Sequence, residues 1–212
     1  MFETVIRFFQ DGGPFMYPIL VVLAIGLTIT IERYIYLISV KNRNQKVLTQ
    51  IMPLLEKGEM NSVIQLTRES TASMSKILEQ GLNNFSSARR RDDIEASMEE
   101  IIMEVIPRLE KRTHYLALFA NISTLLGLLG TIIGLIKAFT AVAQVDPSMK
   151  AEILSTSISV AMNTTAFGLI VAIPLLLFYT LLQTKTTEII DSIEMATVRF
   201  ANHLTRVRGA GQ

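Results

Sequence analysis

Three stretches of the chain lack charged side chains for long enough to cross a bilayer, whose hydrocarbon core of about 30 Å takes roughly 20 helical residues. Gly12 to Ile31 has 20 such residues, Tyr115 to Ile136 has 22 and Leu154 to Gln183 has 30. The first predicts a helix that enters near Tyr17 and leaves near Leu37, with Glu32 and Arg33 at its end, where a long Arg snorkels and a Glu pairs. No basic stretch precedes it and no small-x-small cleavage site follows, so it is expected to stay as an anchor. Between the first and second spans the apolar positions keep helical spacing. Val47, Ile51, Leu54 and Leu55 run up to Gly58, Val63, Ile64 and Leu66 begin a second short helix, and Met74, Ile77, Leu78 and Leu82 repeat the pattern. After the charged corner Arg89-Arg90-Arg91, Asp92 and Asp93 are expected to supply an N-cap and first-turn acids for a helix carrying Ile94, Met98, Ile101, Ile102, Val105 and Leu109. Nothing in that segment reads as a stop, so the helix is expected to continue from Asp93 to about Phe139, about 70 Å at 1.5 Å per residue, with Pro107 kinking it. The third span is expected to continue past Lys185, because Ile189, Ile193, Ala196, Phe200 and Leu204 keep the stripe going.

These elements define an all-α membrane protein with three transmembrane helices and long helical extensions. The expected segments are an outer-face interfacial helix over 1–13, spans over 14–40, 115–140 and 154–183, a helical region over 41–114, a short loop over 141–153 and a helical tail over 184–212. Basic residues near span ends favour the cytoplasm. Arg7 alone precedes the first span, whereas Lys41, Arg43 and Lys46 follow it and Arg108, Lys111 and Arg112 lead into the second. The region 41–114 and the C-terminus are therefore expected inside, and the N-terminus and the loop 141–153 outside.

Composition agrees with lipid exposure: mean hydropathy is +0.39 and only 18% of residues are charged. The absence of cysteine excludes disulfides and thiolate metal sites, and two distant histidines do not make a metal site. A net charge of +1 gives no argument for nucleic acid. No phosphate-binding Gly-rich loop, carboxylate pair or histidine cluster is present, so no enzyme and no cofactor is expected.

The candidate chemistry lies inside the spans. Gly127, Gly130 and Gly134, at steps of three and four, form a smooth strip on the second span that suits close helix packing. Thr124, Thr131 and Ala138 form a second row. On the third span stand Thr156, Ser159, Asn163, Thr164, Thr165, Gly168, Ala172 and Pro174. Asn163 does not satisfy its amide within its own helix as readily as a Thr does, and should face a partner, water or an ion. Gly168 and Ala172 form a small-xxx-small pair, and Pro174 leaves the Ile170 carbonyl without its usual donor. A narrow hydrated path between helices and plain bundle packing both account for this set.

The runs TLLGLLGTIIGLIKAF (Thr124 to Phe139) and TTAFGLIVAIP (Thr164 to Pro174) resemble the signature of the MotA/TolQ/ExbB proton-channel family, in particular its three-span TolQ/ExbB branch. GGPFMYPIL (Gly12 to Leu20), IER (Ile31 to Arg33) and RLEKR (Arg108 to Arg112) sit where that family has matching pieces, and the resemblance covers nearly the whole chain apart from the 41–114 loop. It implies a subunit of an inner-membrane, ion-driven motor: a pentamer whose second and third spans line a pore holding two copies of an ExbD/TolR-like single-span partner that brings an aspartate. Thr131 and Thr165 match the family's pore threonines. Lys137 lies near the outer end of the pore helix, where snorkelling to the outer headgroups accounts for it better than a gating role does. Many TolQ/ExbB relatives carry a glutamate where Val160 stands here. With no Asp or Glu inside any span, a titrating group would come from the partner. Ser159, Asn163, Thr164, Thr165 and Thr131 would line a water wire for protons, or coordinate sodium. The alternative is a non-conducting scaffold that recruits partners through its cytoplasmic helices. A ring is expected on physical grounds too, since an unpaired amide facing lipid costs roughly 2 to 7 kcal/mol.

Overall fold

The structure is a computed structural model that describes residues 8–9, 12–85 and 90–210. The described elements are all helical: α1 Met16–Glu56, α2 Met60–Glu69, α3 Ser73–Phe85, α4 Arg91–Glu110, α5 His114–Val142 and α6 Lys150–Ala210. Three helical stretches, Met16–Glu56, Arg91–Val142 and Lys150–Arg206, are long and apolar enough to cross a membrane. In their most apolar windows only 28%, 17% and 28% of residues are buried, so most of that apolar surface is left for lipid or for other chains. The expected interfacial helix over 1–13 falls almost wholly outside the described residues. Where the chain is described there, the rings of Phe8 and Phe9 meet Phe167 edge-on and Phe9 also meets Tyr17.

The chain divides into two compact units. The first comprises residues 1–32 and 112–181, and the second residues 33–111 and 182–212. In the first, the buried small residues Ala120, Ser123, Gly127 and Gly130 of α5 and Ala161, Thr164, Gly168 and Ala172 of α6 form the packed interior. In the second, α4 buries Ile94, Met98, Ile102, Val105 and Leu109, one residue per turn, and α6 buries Ile189, Ile193, Ala196, Phe200 and Leu204 at the same spacing.

The helix ends follow local chemistry. Gly58, at φ 75°, ends α1 in a Schellman motif: its N–H donates to the Leu55 carbonyl at 2.9 Å, and the Glu59 N–H reaches Leu54 at 3.0 Å. The N-cap of α4 is Arg90, two or three residues earlier than the expected aspartates, and Asp93 accepts the Arg90 backbone N–H at 2.9 Å from the third helical position. Both aspartates remain in the first turn, where carboxylates suit the helix N-terminus.

The expected continuous helix from Asp93 to Phe139 is not what forms. Pro107 sits inside α4 without ending it, and the helix stops at Glu110. Lys111 (φ −47°, ψ 131°) and Arg112 (φ 66°) then make a turn of type II character, whose third residue needs the left-handed region and is usually glycine. Arg112 occupies it instead, and its guanidinium donates to Glu32 at 3.3 Å. A continuous helix would have satisfied the Leu109 carbonyl with the Thr113 N–H. With the chain turned, Arg33, only 2% exposed, donates to that carbonyl and lies 4.7 Å from the Tyr36 ring centroid. Replacing Arg33 by Met, which keeps the aliphatic stem and removes the donors, is expected to cost about 2 kcal/mol through the unsatisfied Leu109 carbonyl. Denaturant unfolding of the purified protein checks this, and an unchanged midpoint would show that Arg33 does not hold the end of α4.

On the surface of the second unit Lys41 pairs with Glu188 at 3.0 Å, and this hydrogen bond and charge hold the Glu188 carboxyl below the ordinary carboxylate range. Both side chains are half exposed, so solvent screens the pair.

Candidate functional site

Helix α5 presents Ser123, Gly127, Gly130 and Gly134 at steps of four, three and four, which places them along one face. The facing strip of α6 is Ala161, Thr164, Thr165, Gly168 and Ala172. With no side chain at Gly127 and Gly168 the two backbones come together. A Cβ on Gly168 would stand 2.8 Å from the Ser123 carbonyl oxygen and 3.2 Å from the Gly127 Cα, and a Cβ on Gly127 would stand 3.2 Å from the Thr165 Cα. The Ser123 hydroxyl fastens the crossing by donating to the Gly168 carbonyl at 3.0 Å.

That close approach brings Thr131 and Thr165 together. Their hydroxyls are in direct contact, and each also reaches the Gly127 carbonyl, Thr131 at 3.1 Å and Thr165 at 2.9 Å. Each hydroxyl has one proton. Three contacts therefore share two protons: one hydroxyl donates to Gly127, while the other donates either to the same carbonyl or to its neighbour. Exchanging these arrangements needs only hydroxyl rotation. Both threonines are part-buried, so their remaining lone pairs are not sealed from their surroundings.

The other expected site residues are placed differently. Thr164, 2% exposed, packs against Gly130 and donates to the carbonyls of Gly12 and of Val160, the latter at 3.0 Å. It ties the chain before α1 to α6 and does not join the Thr131–Thr165 pair. Asn163 is part-buried and Ser159 exposed, and at 100° per residue both point well away from Thr165 around α6. Gly134 lies against Ala161, 2.9 Å from an added Cβ. Ala172 is buried and Pro174 lies within α6. Lys137 is exposed. Val160 supplies the backbone carbonyl that Thr164 uses. Ser123 was missed by sequence reasoning, although its place four residues before Gly127 extends the glycine strip by one turn. Among the described residues no group of His, Asp and Glu could hold a metal ion.

The arrangement is that of a multi-pass helical membrane protein with a small-residue seam between two spans and a paired hydroxyl site beside it. The MotA/TolQ/ExbB proton channel family matches residues 69–195, more than half of the chain, and the chain belongs to that family. Its three apolar helices are consistent with the three-span ExbB/TolQ-like branch. It is 28% identical over 196 residues to a putative biopolymer transport protein ExbB homolog of Methanothermobacter thermautotrophicus, covering 92% of this chain and 68% of that protein. It is also 24% identical over 202 residues to the biopolymer transport protein ExbB of Neisseria gonorrhoeae, covering 88% of this chain and 90% of that one. The Tol-Pal system protein TolQ of Haemophilus influenzae is 30% identical over 102 residues, 48% of this chain and 42% of its own length. This is a family of proton channels rather than of enzymes.

Proposed function

We propose that this protein is the ion-conducting subunit of an inner-membrane energy-transducing motor, in which flow of protons does mechanical work through an ExbD/TolR-like single-span partner held inside a ring of this chain. The observation that carries the reading is the Thr131–Thr165 pair: two hydroxyls in contact, sharing one carbonyl, beside a backbone crossing at Gly127 and Gly168 too tight for a side chain at either position. A hydroxyl both donates and accepts, so the pair passes a proton along a hydrogen-bonded chain with no carboxylate of its own, and the titrating acid belongs to the partner. The exposed apolar rows on α5 and α6, such as Leu125, Ile132 and Ile136 or Met162, Ile173 and Leu177, suit lipid and neighbouring subunits, and support assembly as a ring, a pentamer by family analogy. The basic residues flanking the spans favour an N-terminus outside and a C-terminus inside. Sodium is the alternative ion, because the Thr131 and Thr165 hydroxyls and the Gly127 carbonyl bring hard oxygen ligands together.

Vesicles reconstituted with this chain and an ExbD/TolR-like single-span protein test the reading. A proton flux driven by a pH gradient at fixed sodium is the expected result. A response to a sodium gradient at fixed pH, and none to the pH gradient, would overturn the proton choice. Silence to both gradients would leave a scaffold.

A further inference from the structure

A cavity of about 180 Å³ opens in the second unit where the N-terminus of α3 meets α1 and α4. Arg43, Lys76 and Arg108 stand on its wall, and no Asp or Glu lines it. Asn44, also on the wall, is 95% buried by its 5% exposure. Its Oδ1 accepts the Met74 N–H at 3.2 Å and so caps α3 from another helix. Its Nδ2, fully buried, has no hydrogen-bond partner. An amide donor with nothing to donate to is costly in a protein interior, which marks a place where an acceptor belongs. The first turn of the thirteen-residue helix α3 has no acidic residue to occupy its positive end, and that end favours an anion.

The cations there are available. Among the described residues Lys76 makes no ion pair. Arg108 reaches Glu104 only at 3.9 Å, with both side chains about two-thirds exposed. Among the described residues Arg43 donates only to Ser39 one turn back, at 2.8 Å and 3.2 Å. We propose that the cavity binds a phosphate-bearing anion. Arg43 and Arg108 grip its oxygens in the two-pronged manner of guanidinium, Lys76 adds a point charge, and Asn44 Nδ2 together with the start of α3 completes the donor set. The volume, about that of six liquid water molecules, holds one phosphate group with a short stub of what it is attached to. Arg43 lies six residues, about 9 Å of helix, beyond Leu37, where the sequence places the exit of the first span. Both a lipid headgroup and a soluble phosphate reach that level.

The full-length protein in phosphatidylcholine nanodiscs separates the sources. One arm titrates inorganic phosphate and reads thermal protection. The other replaces a tenth of the lipid with phosphatidylglycerol and reads retained lipid by native mass spectrometry. Protection by phosphate assigns a soluble ligand, and retention of phosphatidylglycerol alone assigns a headgroup. The pair Lys76→Gln with Arg108→Gln, both at exposed positions, is expected to weaken the response about tenfold or more. Asn44→Asp keeps the oxygen that caps α3 and replaces the buried donor by a carboxylate oxygen, so it is expected to abolish binding while α3 stays folded by circular dichroism. No response in either arm, or a response that both sets of substitutions leave intact, would overturn the site.

Discussion

Replacing Thr131 and Thr165 together by Val is expected to leave a folded, assembled protein that no longer does ion-driven work. Valine keeps the shape of threonine and removes the hydroxyl. Taking both partners of a hydrogen bond away at once is close to neutral for stability, whereas removing one leaves the other to be satisfied elsewhere. The Gly127 carbonyl, which both hydroxyls reach, keeps its backbone partner within α5, so the seam does not come apart. The barrier to ion passage is a different matter. Two hydroxyls that solvate the moving charge are worth about 1 to 3 kcal/mol each, and even a 2 kcal/mol rise in the barrier slows passage about thirtyfold. The expected result is gradient-driven flux at background with an unchanged oligomer on size-exclusion chromatography, and flux restored when both positions carry Ser. A double-Val protein that conducts normally would remove the hydroxyl pair from the mechanism and leave α5 and α6 as packing elements.

The spans were legible in the sequence because a bilayer sets one demanding criterion, a long run without charge, and three runs met it. The end of α1 was also legible, since Gly58 takes the left-handed conformation that glycine alone adopts freely. The break between α4 and α5 was not. Arg112 adopts the same conformation with a full side chain, and what supports the turn, Glu32 on Arg112 and Arg33 on the Leu109 carbonyl, comes from residues nearly eighty positions away. Local sequence holds no record of such help. The site divides in the same way. Glycine spacing reveals which face of α5 packs, but sequence does not fix how far α6 slides along it, and one turn of slip would exchange Thr165 for another partner. The contacts of Gly127 with Gly168, Gly130 with Thr164 and Gly134 with Ala161 set Thr165 opposite Thr131 and leave Asn163 and Ser159 elsewhere on α6.

That dependence on register makes Gly168 the residue whose substitution should do the most structural damage. An added Cβ would lie 2.8 Å from the Ser123 carbonyl oxygen and 3.2 Å from the Gly127 Cα, and both are backbone atoms that no rotamer change moves aside. The helices must separate, lengthening the Ser123 to Gly168 hydrogen bond and the Thr131 to Thr165 contact together. Overpacking of this kind costs about 1 to 3 kcal/mol for a single added methyl, and Gly168→Val should exceed that range. Gly134 provides the contrast. A Cβ there meets the Ala161 Cβ at 2.9 Å, a side-chain atom, so Gly134→Ala should be rescued by Ala161→Gly, whereas no side-chain change at Ser123 removes the carbonyl that blocks Gly168. Unfolding midpoints in detergent for the four-member Gly134/Ala161 cycle and for Gly168→Ala with Ser123→Gly test this directly. Rescue at 134/161 without rescue at 168/123 is the expected pattern. Rescue at both would mean that the α5 and α6 backbones do not touch, and that the hydroxyl pair is held by something other than the glycine seam.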